Sequence, residues 1–217
     1  MIVCTEHGLL YLAPIQTGED SVASVLKTQF RGVEYCRKDV HHSTEWEEAL
    51  RPYYKFITVR HPYLRMVELW KSAAAMVQEL DWVEPEDLDR PEYQKALWWQ
   101  EHIGDGDLTL SDFMLEPSIR RYLHQDLWSC FWHIEQMEMP INRIVHQERF
   151  EEEIHQVTGL WGVQFYPPDF GPPLEKPWYE YYSKVTIQLV RDYWPRDFLP
   201  LGYNPNFKEV MQGRIFV

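Results

Sequence analysis

Short apolar segments alternate with amphipathic ones over the first eighty residues of the chain. Residues 8 to 15 (GLLYLAPI) form an apolar run that ends in turn residues, which is typical of a buried strand in a parallel sheet. After the polar turn QTGEDS, apolar residues recur at helical spacing: Val22, Val25, Leu26 and Phe30. We therefore predict a helix after the turn, with Glu19, Asp20 and Ser21 at its N-terminus.

Two further strand-to-helix units follow. Residues 32 to 38 (GVEYCRK) have the pattern of a short strand, and the next helix is predicted to begin at Ser43 or Thr44. Residues 55 to 60 (KFITVR) are β-branched and apolar, and Pro62 suits the first turn of the helix after that strand. Three β-α units in sequence predict an α/β fold of three layers, α/β/α, with a central parallel sheet.

The second half of the chain continues the pattern after an irregular stretch. Residues 81 to 108 are acidic and loop-rich, so we expect a surface insertion or lid that contains a short helix at YQKALWWQ. Residues 142 to 150 (NRIVHQERF) predict another strand, and the helix after it stops at Gly159. A last helix is predicted over residues 178 to 193, with one buried stripe made of Tyr182, Val185, Leu189 and Tyr193. No linker divides the chain, so residues 1 to 217 are expected to form one domain.

Charge and cysteine usage narrow the classes of function. The formal net charge of -13 argues against binding to nucleic acid or to an anionic surface, because such binding draws on clustered Lys and Arg. Three widely spaced cysteines, without a CxxC pair, fit reduced thiols and a cytoplasmic location better than a disulfide framework or a metal site. The apolar run near the N-terminus has no basic leader and is too short to span a membrane.

The turn at residues 15 to 21 has the form of an anion site. It joins a strand to a helix, and the first backbone N–H groups of a helix have no partners inside the helix. Arg60 ends another predicted strand of the same sheet, so it is expected at the same rim, where its guanidinium can hold a phosphate in a bidentate manner. The turn lacks the GxxxxGK[ST] spacing of nucleoside triphosphatases, and a plain tight turn is the alternative.

Both segments resemble motifs of sulfotransferases that use 3′-phosphoadenosine 5′-phosphosulfate as donor. The turn is similar to the 5′-phosphosulfate loop PKTGGTS, and VRHPYLRMVELW is similar to the 3′-phosphate motif VRxPxxRxxSxY. The resemblance extends in order through HSTEWEEAL, LSDFM, IVHQERFEEE and YYSKVTIQLVRDYWPRDFLPLGY, as in the carbohydrate-type and microbial members. It implies a fold like that of P-loop-containing nucleotide hydrolases, one donor nucleotide, no metal, and a hydroxyl-bearing acceptor.

The resemblance also implies roles for individual residues. The donor-binding loop would comprise Gln16, Thr17, Gly18, Glu19, Asp20 and Ser21. Arg60 would hold the 3′-phosphate, with Arg65 assisting it. His42 stands where related enzymes carry a histidine that deprotonates the acceptor hydroxyl, and Gln16 stands at the place of the catalytic lysine. From the residues alone, His41 and His42 are equally well explained as a polar pair in a turn.

Three departures from the family pattern weaken the catalytic prediction. Gln16 can donate a hydrogen bond but lacks the positive charge of the usual lysine, which Lys27 or Lys71 would have to supply. Glu19 and Asp20 bring carboxylates to a site meant for a dianion. Glu68 replaces the serine that hydrogen-bonds the 3′-phosphate. Each loss of a charged contact typically costs on the order of 100-fold in rate.

Two functions follow as hypotheses. The first is an enzyme that transfers a sulfuryl group from the phosphoadenosine donor to a hydroxyl of a carbohydrate or small metabolite. The second is a degenerate member of the same fold that has lost donor binding and acts as a binding or scaffold protein. Arg60, His42 and the retained loop residues favour the enzyme, whereas the acidic loop favours the second hypothesis.

Overall fold

A mixed β-sheet forms the centre of the protein in the computed structural model. The structure describes residues 1–14, 16–34, 48–84, 90–123, 129–135, 139–159 and 174–217. The strands in these ranges are β1 (Ile2–Cys4), β2 (Leu9–Leu12), β3 (Val33–Glu34), β4 (Tyr54–Val59) and β5 (Arg143–His146). Their order across the sheet is β3-β1-β2-β4-β5.

The sheet is parallel in only one half. β2, β4 and β5 run parallel to one another, as predicted, whereas β1 is antiparallel to both β2 and β3. The prediction of an all-parallel sheet is therefore wrong because of β1, which lies between β3 and β2 and runs opposite to both; β3 has the same direction as β2, β4 and β5 but pairs with β1. The reason is a 3-10 turn at Thr5–His7, followed by Gly8 in the left-handed region (φ 58°), which reverses the chain between β1 and β2. The helix predicted from Ser43 or Thr44 begins outside the described residues.

Helices cover both faces of the sheet, so the fold is α/β and compatible with three layers. The helices in the described ranges are α1 (Glu19–Gln29), α2 (Pro62–Glu79), α3 (Pro91–Ile103), α4 (Leu110–Leu115), α5 (Pro117–Leu123), α6 (Cys130–Glu135), α7 (Phe150–Thr158), α8 (Lys184–Tyr193) and α9 (Phe207–Met211). α1 and α7 pack on one face, and α2, α3 and α8 contribute to the core on the other.

Side chains alternate between these two cores along each central strand. In β2, Leu9 and Tyr11 point to the core under α1 and α7, and Leu10 and Leu12 point to the core under α2. All four are completely buried. Burial on both faces explains why the strand is continuously apolar instead of alternating with polar residues.

The start of α2 is fixed by local chemistry. Pro62 occupies its first turn, and the His61 side chain accepts a hydrogen bond from the Tyr63 amide, as an N-cap does. The other ring nitrogen, Nε2, lies 3.1 Å from the carbonyl oxygen of Asn204. His61 is fully buried, so this cap also ties α2 to the C-terminal part of the chain.

The region predicted as a surface insertion contains part of the core. α3 is longer than the short helix expected there, and its Trp99 and Ile103 side chains are 1% and 4% exposed within the core under α2. Residues 85–89 of the same region are outside the described residues. The helical part is thus an integral layer of the fold, and a lid function for this region stays a prediction.

The last long helix begins later than predicted. A 3-10 turn occupies Trp178–Tyr181, and α8 starts after Ser183, which forms a capping box with Thr186. Tyr182 is extended, so a stripe counted from it has the wrong helical phase. Val185 is accordingly 55% exposed, and the buried positions are Thr186, Val190 and Tyr193.

Candidate functional site

The loop between β2 and α1 turns its first amides toward one point. Gln16 and Gly18 both have positive φ angles (62° and 75°), and Thr17 lies between them. Such a conformation directs successive backbone N–H groups into a small concavity that suits an anion. Ile15 lies outside the described residues.

The side chain of Glu19 fills this concavity. Its Oε1 accepts a hydrogen bond from the backbone N–H of Gln16, and its Oε2 accepts one from the backbone N–H of Thr17, each at 3.0 Å. Burial raises the pKa of Glu19 above its ordinary value, and the charge of Asp20 acts in the same direction, although the two amides oppose the rise. The loop therefore already holds a carboxylate where the sequence predicts a bound sulfuryl or phosphoryl group.

Thr17 anchors the loop to β4 with its hydroxyl. The side chain is fully buried, and Oγ1 donates a hydrogen bond to the Pro14 carbonyl at 2.7 Å. Because that bond uses its one proton, Oγ1 accepts from the Thr58 hydroxyl, 2.9 Å away, which in turn accepts from Tyr11 at 2.6 Å. This chain of hydroxyls gives Thr17 a structural role in the loop.

Arg60 follows β4 directly and pairs with a carboxylate of α2. Its Nη2 lies 3.4 Å from Oε1 of Glu68, and each residue is 8% exposed. Burial lowers the pKa of Arg60, while the charges of Glu68 and Glu148 act against that change. The position where the sequence predicts a phosphate contact is thus occupied by Glu68, the residue that replaces the family's serine.

One face of α2 connects Arg60 to the loop. Glu68 and Ser72 are four residues apart and so lie on the same side of the helix. Glu68 contacts Arg60, and the Ser72 hydroxyl donates a long hydrogen bond of 3.5 Å to Oε1 of Gln16. Together with the contact between Thr17 and Thr58, this places the loop and Arg60 at the same rim of the sheet, as the sequence predicts.

Arg65 belongs to a buried interface. Its Nη1 lies 3.3 Å from Oδ2 of Asp197, and both side chains are 1% exposed. Its guanidinium also lies over the Trp194 ring, 4.8 Å from the centroid. Asp197 further accepts hydrogen bonds from the side chain of Ser129 and the amide of Cys130, at 2.6 and 2.8 Å. Arg65 therefore acts as a structural cation in this interface. Its role as a phosphate ligand stays a prediction.

The remaining predicted site residues are spread out. Asp20 is exposed and Ser21 half-buried, both in the first turn of α1. Lys27, the first suggested substitute for the missing lysine, lies in the last turn of α1. At 1.5 Å per residue, this is about 12 Å along the helix axis from Glu19. His42 falls outside the described residues, so its role as general base stays a prediction.

Gln147 and Glu148, which directly follow β5, complete the rim; neither is among the site residues predicted from the sequence. Gln147 donates through Nε2 to the Thr17 carbonyl. Glu148 accepts from the His61 amide at 2.8 Å and from the Tyr203 hydroxyl at 2.9 Å. Their position directly after a parallel strand was the available signal, because the carboxyl ends of parallel strands meet at one edge.

The charge at this rim is predominantly negative. Among the described residues, Glu68 and Glu148 act on the charge of Arg60, and Glu19 and Asp20 add two carboxylates at the start of α1. At an effective dielectric of about 20, two like unit charges about 4 Å apart repel by about 4 kcal/mol. An anionic ligand is therefore opposed unless the carboxylates move away or take up protons.

Comparisons with protein-family models, with curated proteins and with solved structures each found no match to this chain. The similarity to sulfotransferases rests on the motifs alone.

Two further features of the described residues bear on the sequence predictions. Among these residues, the helices are too short or too polar to cross a membrane. The described side chains also contain no group of three or more His, Cys, Asp or Glu residues placed to hold a metal ion.

Proposed function

We propose that this chain is a non-catalytic binding protein with a sulfotransferase-like fold whose donor site is closed by its own carboxylates. One observation carries the proposal: the backbone amides of Gln16 and Thr17 in the loop are hydrogen-bonded to the carboxylate of Glu19. In the family that the motifs resemble, backbone amides of this loop hold the 5′-phosphosulfate of the donor. Glu19 is an internal substitute for that group.

The energetic argument follows from the number of contacts that a donor would have to replace. A hydrogen bond to a charged group contributes about 1.5 to 3 kcal/mol net, so displacing Glu19 from two amides costs at most about 3 to 6 kcal/mol. Because burial raises the pKa of Glu19, part of this cost is returned when the carboxylate moves into water. At 1.4 kcal/mol for each factor of ten, the donor affinity falls by up to about 100- to 10,000-fold.

The second phosphate position supports the same proposal. A 3′-phosphate reaching Arg60 has to displace Glu68, and Glu68 then remains as a buried carboxylate beside the phosphate. Truncation or loss of one partner in a buried ion pair costs several kcal/mol because the other charge is left uncompensated. The two closures are independent, since Glu19 is at the start of α1 and Glu68 is on α2.

A second candidate function is the sulfotransferase itself, and the placement of the loop beside Arg60 favours it. The 2.9 Å contact between Thr17 and Thr58 brings the two predicted donor-binding elements to one rim. In this alternative, Glu19 and Glu68 swing away when the phosphoadenosine donor binds. Gln16 then donates a hydrogen bond to the donor, and His42 deprotonates a hydroxyl of a carbohydrate or small-metabolite acceptor.

A calorimetric titration with 3′-phosphoadenosine 5′-phosphate distinguishes the two candidates. We expect no binding to the native chain at millimolar nucleotide. The double variant Glu19→Gly, Glu68→Ser restores the family residues and is expected to bind. At 100 times its dissociation constant, the nucleotide should then stabilise that variant by about 2.7 kcal/mol.

The control variants locate the ligand. Adding Arg60→Ala to the double variant should abolish binding again. Glu19→Gln keeps the size of the side chain and removes its charge, so it separates electrostatic closure from steric closure. Tight binding to the native chain that is lost in Arg60→Ala would favour the enzyme. A folded double variant that binds no nucleotide would overturn the assignment of this rim as a donor site.

A further inference from the structure

A separate groove lies between α2, the turn before α4 and the segment around the 3-10 turn at Trp178–Tyr181. Its volume is about 410 Å³, which is within the range of small-molecule sites. Small residues line it at Ala74, Ala75 and Gly106, and none of its lining residues belongs to the loop or to the pair of Arg60 and Glu68. The groove is therefore separate from the closed donor site.

Two aromatic side chains form a fixed corner of this groove. The ring centroids of Trp70 and Tyr181 are 5.2 Å apart, and the rings are inclined at 58°. The indole Nε1 of Trp70 donates a hydrogen bond of 2.8 Å to the Leu108 carbonyl, which sets the orientation of the ring. Two inclined aromatic faces on one side of a cavity make half of an aromatic cage, the arrangement that recognises methylated ammonium groups.

The turn that forms the opposite wall comes unusually close to α2. Gly106 has a φ of 84°, and a Cβ atom at this position would lie 3.2 Å from the backbone oxygen of Ala74. Glycine at this position thus lets the turn pack directly against α2, and this contact fixes the turn as one wall of the groove.

The lining of the groove carries more carboxylates than ammonium groups. Asp107 and Glu175 contribute two carboxylates and Lys71 contributes one ammonium, in a chain whose net charge is -13. Nζ of Lys176, which does not line the groove, lies 4.4 Å from the centroid of the Tyr181 ring. One face of the Tyr181 ring therefore accommodates an ammonium group of the protein itself.

We propose that this groove binds a small organic ammonium ion whose methylated nitrogen packs against Trp70 and Tyr181, with Asp107 and Glu175 supplying the counter charge. The carboxylates disfavour an anion. The ring faces attract a methylated ammonium through both cation–π and apolar contacts, whereas a hydrated inorganic cation keeps its water shell and makes neither contact well. Lys71 lines the same groove and can hold a carboxylate if the ligand carries one.

The test uses choline and its uncharged carbon analogue, 3,3-dimethyl-1-butanol, in parallel calorimetric titrations of the full chain. The two probes have nearly the same shape, so the difference between them measures recognition of the charge. We expect choline to bind and the neutral alcohol to bind at least about tenfold more weakly. Equal binding of both, or binding of neither, overturns the proposal.

Variants of the groove assign the binding. Tyr181→Leu should weaken choline about three- to thirtyfold, whereas Tyr181→Phe keeps the ring and should bind as the native chain does. Asp107→Asn should also weaken choline, and Asp105→Asn is the matched control, because Asp105 is exposed on the same turn but does not line the groove. Choline binding that is unchanged in Tyr181→Leu and in Asp107→Asn would place the ligand elsewhere and contradict the proposal. A thermal melt of each variant checks that it is folded.

Discussion

The hydroxyls of Thr17 and Thr58 lie 2.9 Å apart, so the loop after β2 is attached to β4 by two side chains that are both fully buried. Thr58 is the second of four groups in the chain of hydrogen bonds that runs from the Tyr11 hydroxyl through Thr58 and Thr17 to the Pro14 carbonyl. The position of the loop at the rim depends on this member, because Thr58 both accepts from Tyr11 and donates to Thr17.

Replacing Thr58 by Val should therefore destabilise the protein by about 1 to 3 kcal/mol, since the buried Tyr11 hydroxyl loses its acceptor while the volume of the side chain is kept. Urea denaturation of the variant measures the loss. Thr58→Ser keeps the hydroxyl and should cost clearly less. If both variants are equally stable, the hydroxyl chain does not hold the loop.

The ion pair of Arg65 and Asp197 should matter far more than any pair on the surface. Asp197→Ala leaves the guanidinium buried without its counter charge, and we expect a loss of about 3 to 5 kcal/mol in the free energy of unfolding. The matched control is Glu135→Ala, which removes the partner of Arg196 in a half-exposed pair and should cost no more than about 1 kcal/mol. Similar losses from the two variants would show that burial does not determine the contribution of the Arg65 pair.

His61 should make the protein sensitive to acid. Burial lowers the pKa of His61 from 6.5 to about 4, although the hydrogen bond to Asn204 acts against this. Protonation of Nδ1 would also remove the acceptor that caps α2 at Tyr63. The unfolded chain takes up this proton below pH 6.5 and the folded protein only near pH 4, so stability falls as the pH decreases between these values.

At about 1.4 kcal/mol for each pH unit, the loss attributable to His61 is about 3 kcal/mol between pH 6.5 and 4. The check is the free energy of unfolding of the native chain and of His61→Gln over this range. The variant is less stable near neutral pH because it loses the cap, but the difference between the two proteins should shrink in acid. A difference that is constant with pH would contradict the assignment. An NMR titration of the His61 ring gives its pKa directly.

The sequence predicted those parts of the fold that local pattern determines. The strand at Tyr54–Val59 and the helix at Pro62 were found because β-branched residues and a proline at a first turn act on the backbone nearby. The antiparallel pairing of β1 was not found, since it depends on the turn at Thr5–His7 and on Gly8, which has a positive φ at the start of the apolar run. The core position of Trp99 was missed because an acidic, loop-rich composition says nothing of where the intervening aromatic residues pack.

The candidate site shows the same division. Its location at the ends of β2 and β4 followed from the topology of parallel strands, and the unfavourable residues Glu19 and Glu68 were recognised as departures from the motifs. Their hydrogen-bond partners could not be predicted, because the sequence does not say whether a carboxylate side chain points into the loop or away from it. The pairing of Arg65 with Asp197 could not be predicted for a similar reason: the two residues are 132 positions apart along the chain.

The closure of the loop by one of its own side chains has a genetic consequence. Glutamate and glycine codons differ at a single base, so one point mutation at Glu19 exposes both amides, whereas serine at position 68 requires at least two base changes. A variant reached by that one change would combine a free loop with a paired Arg60, and it is the natural place to look for affinity for sulfated or phosphorylated molecules.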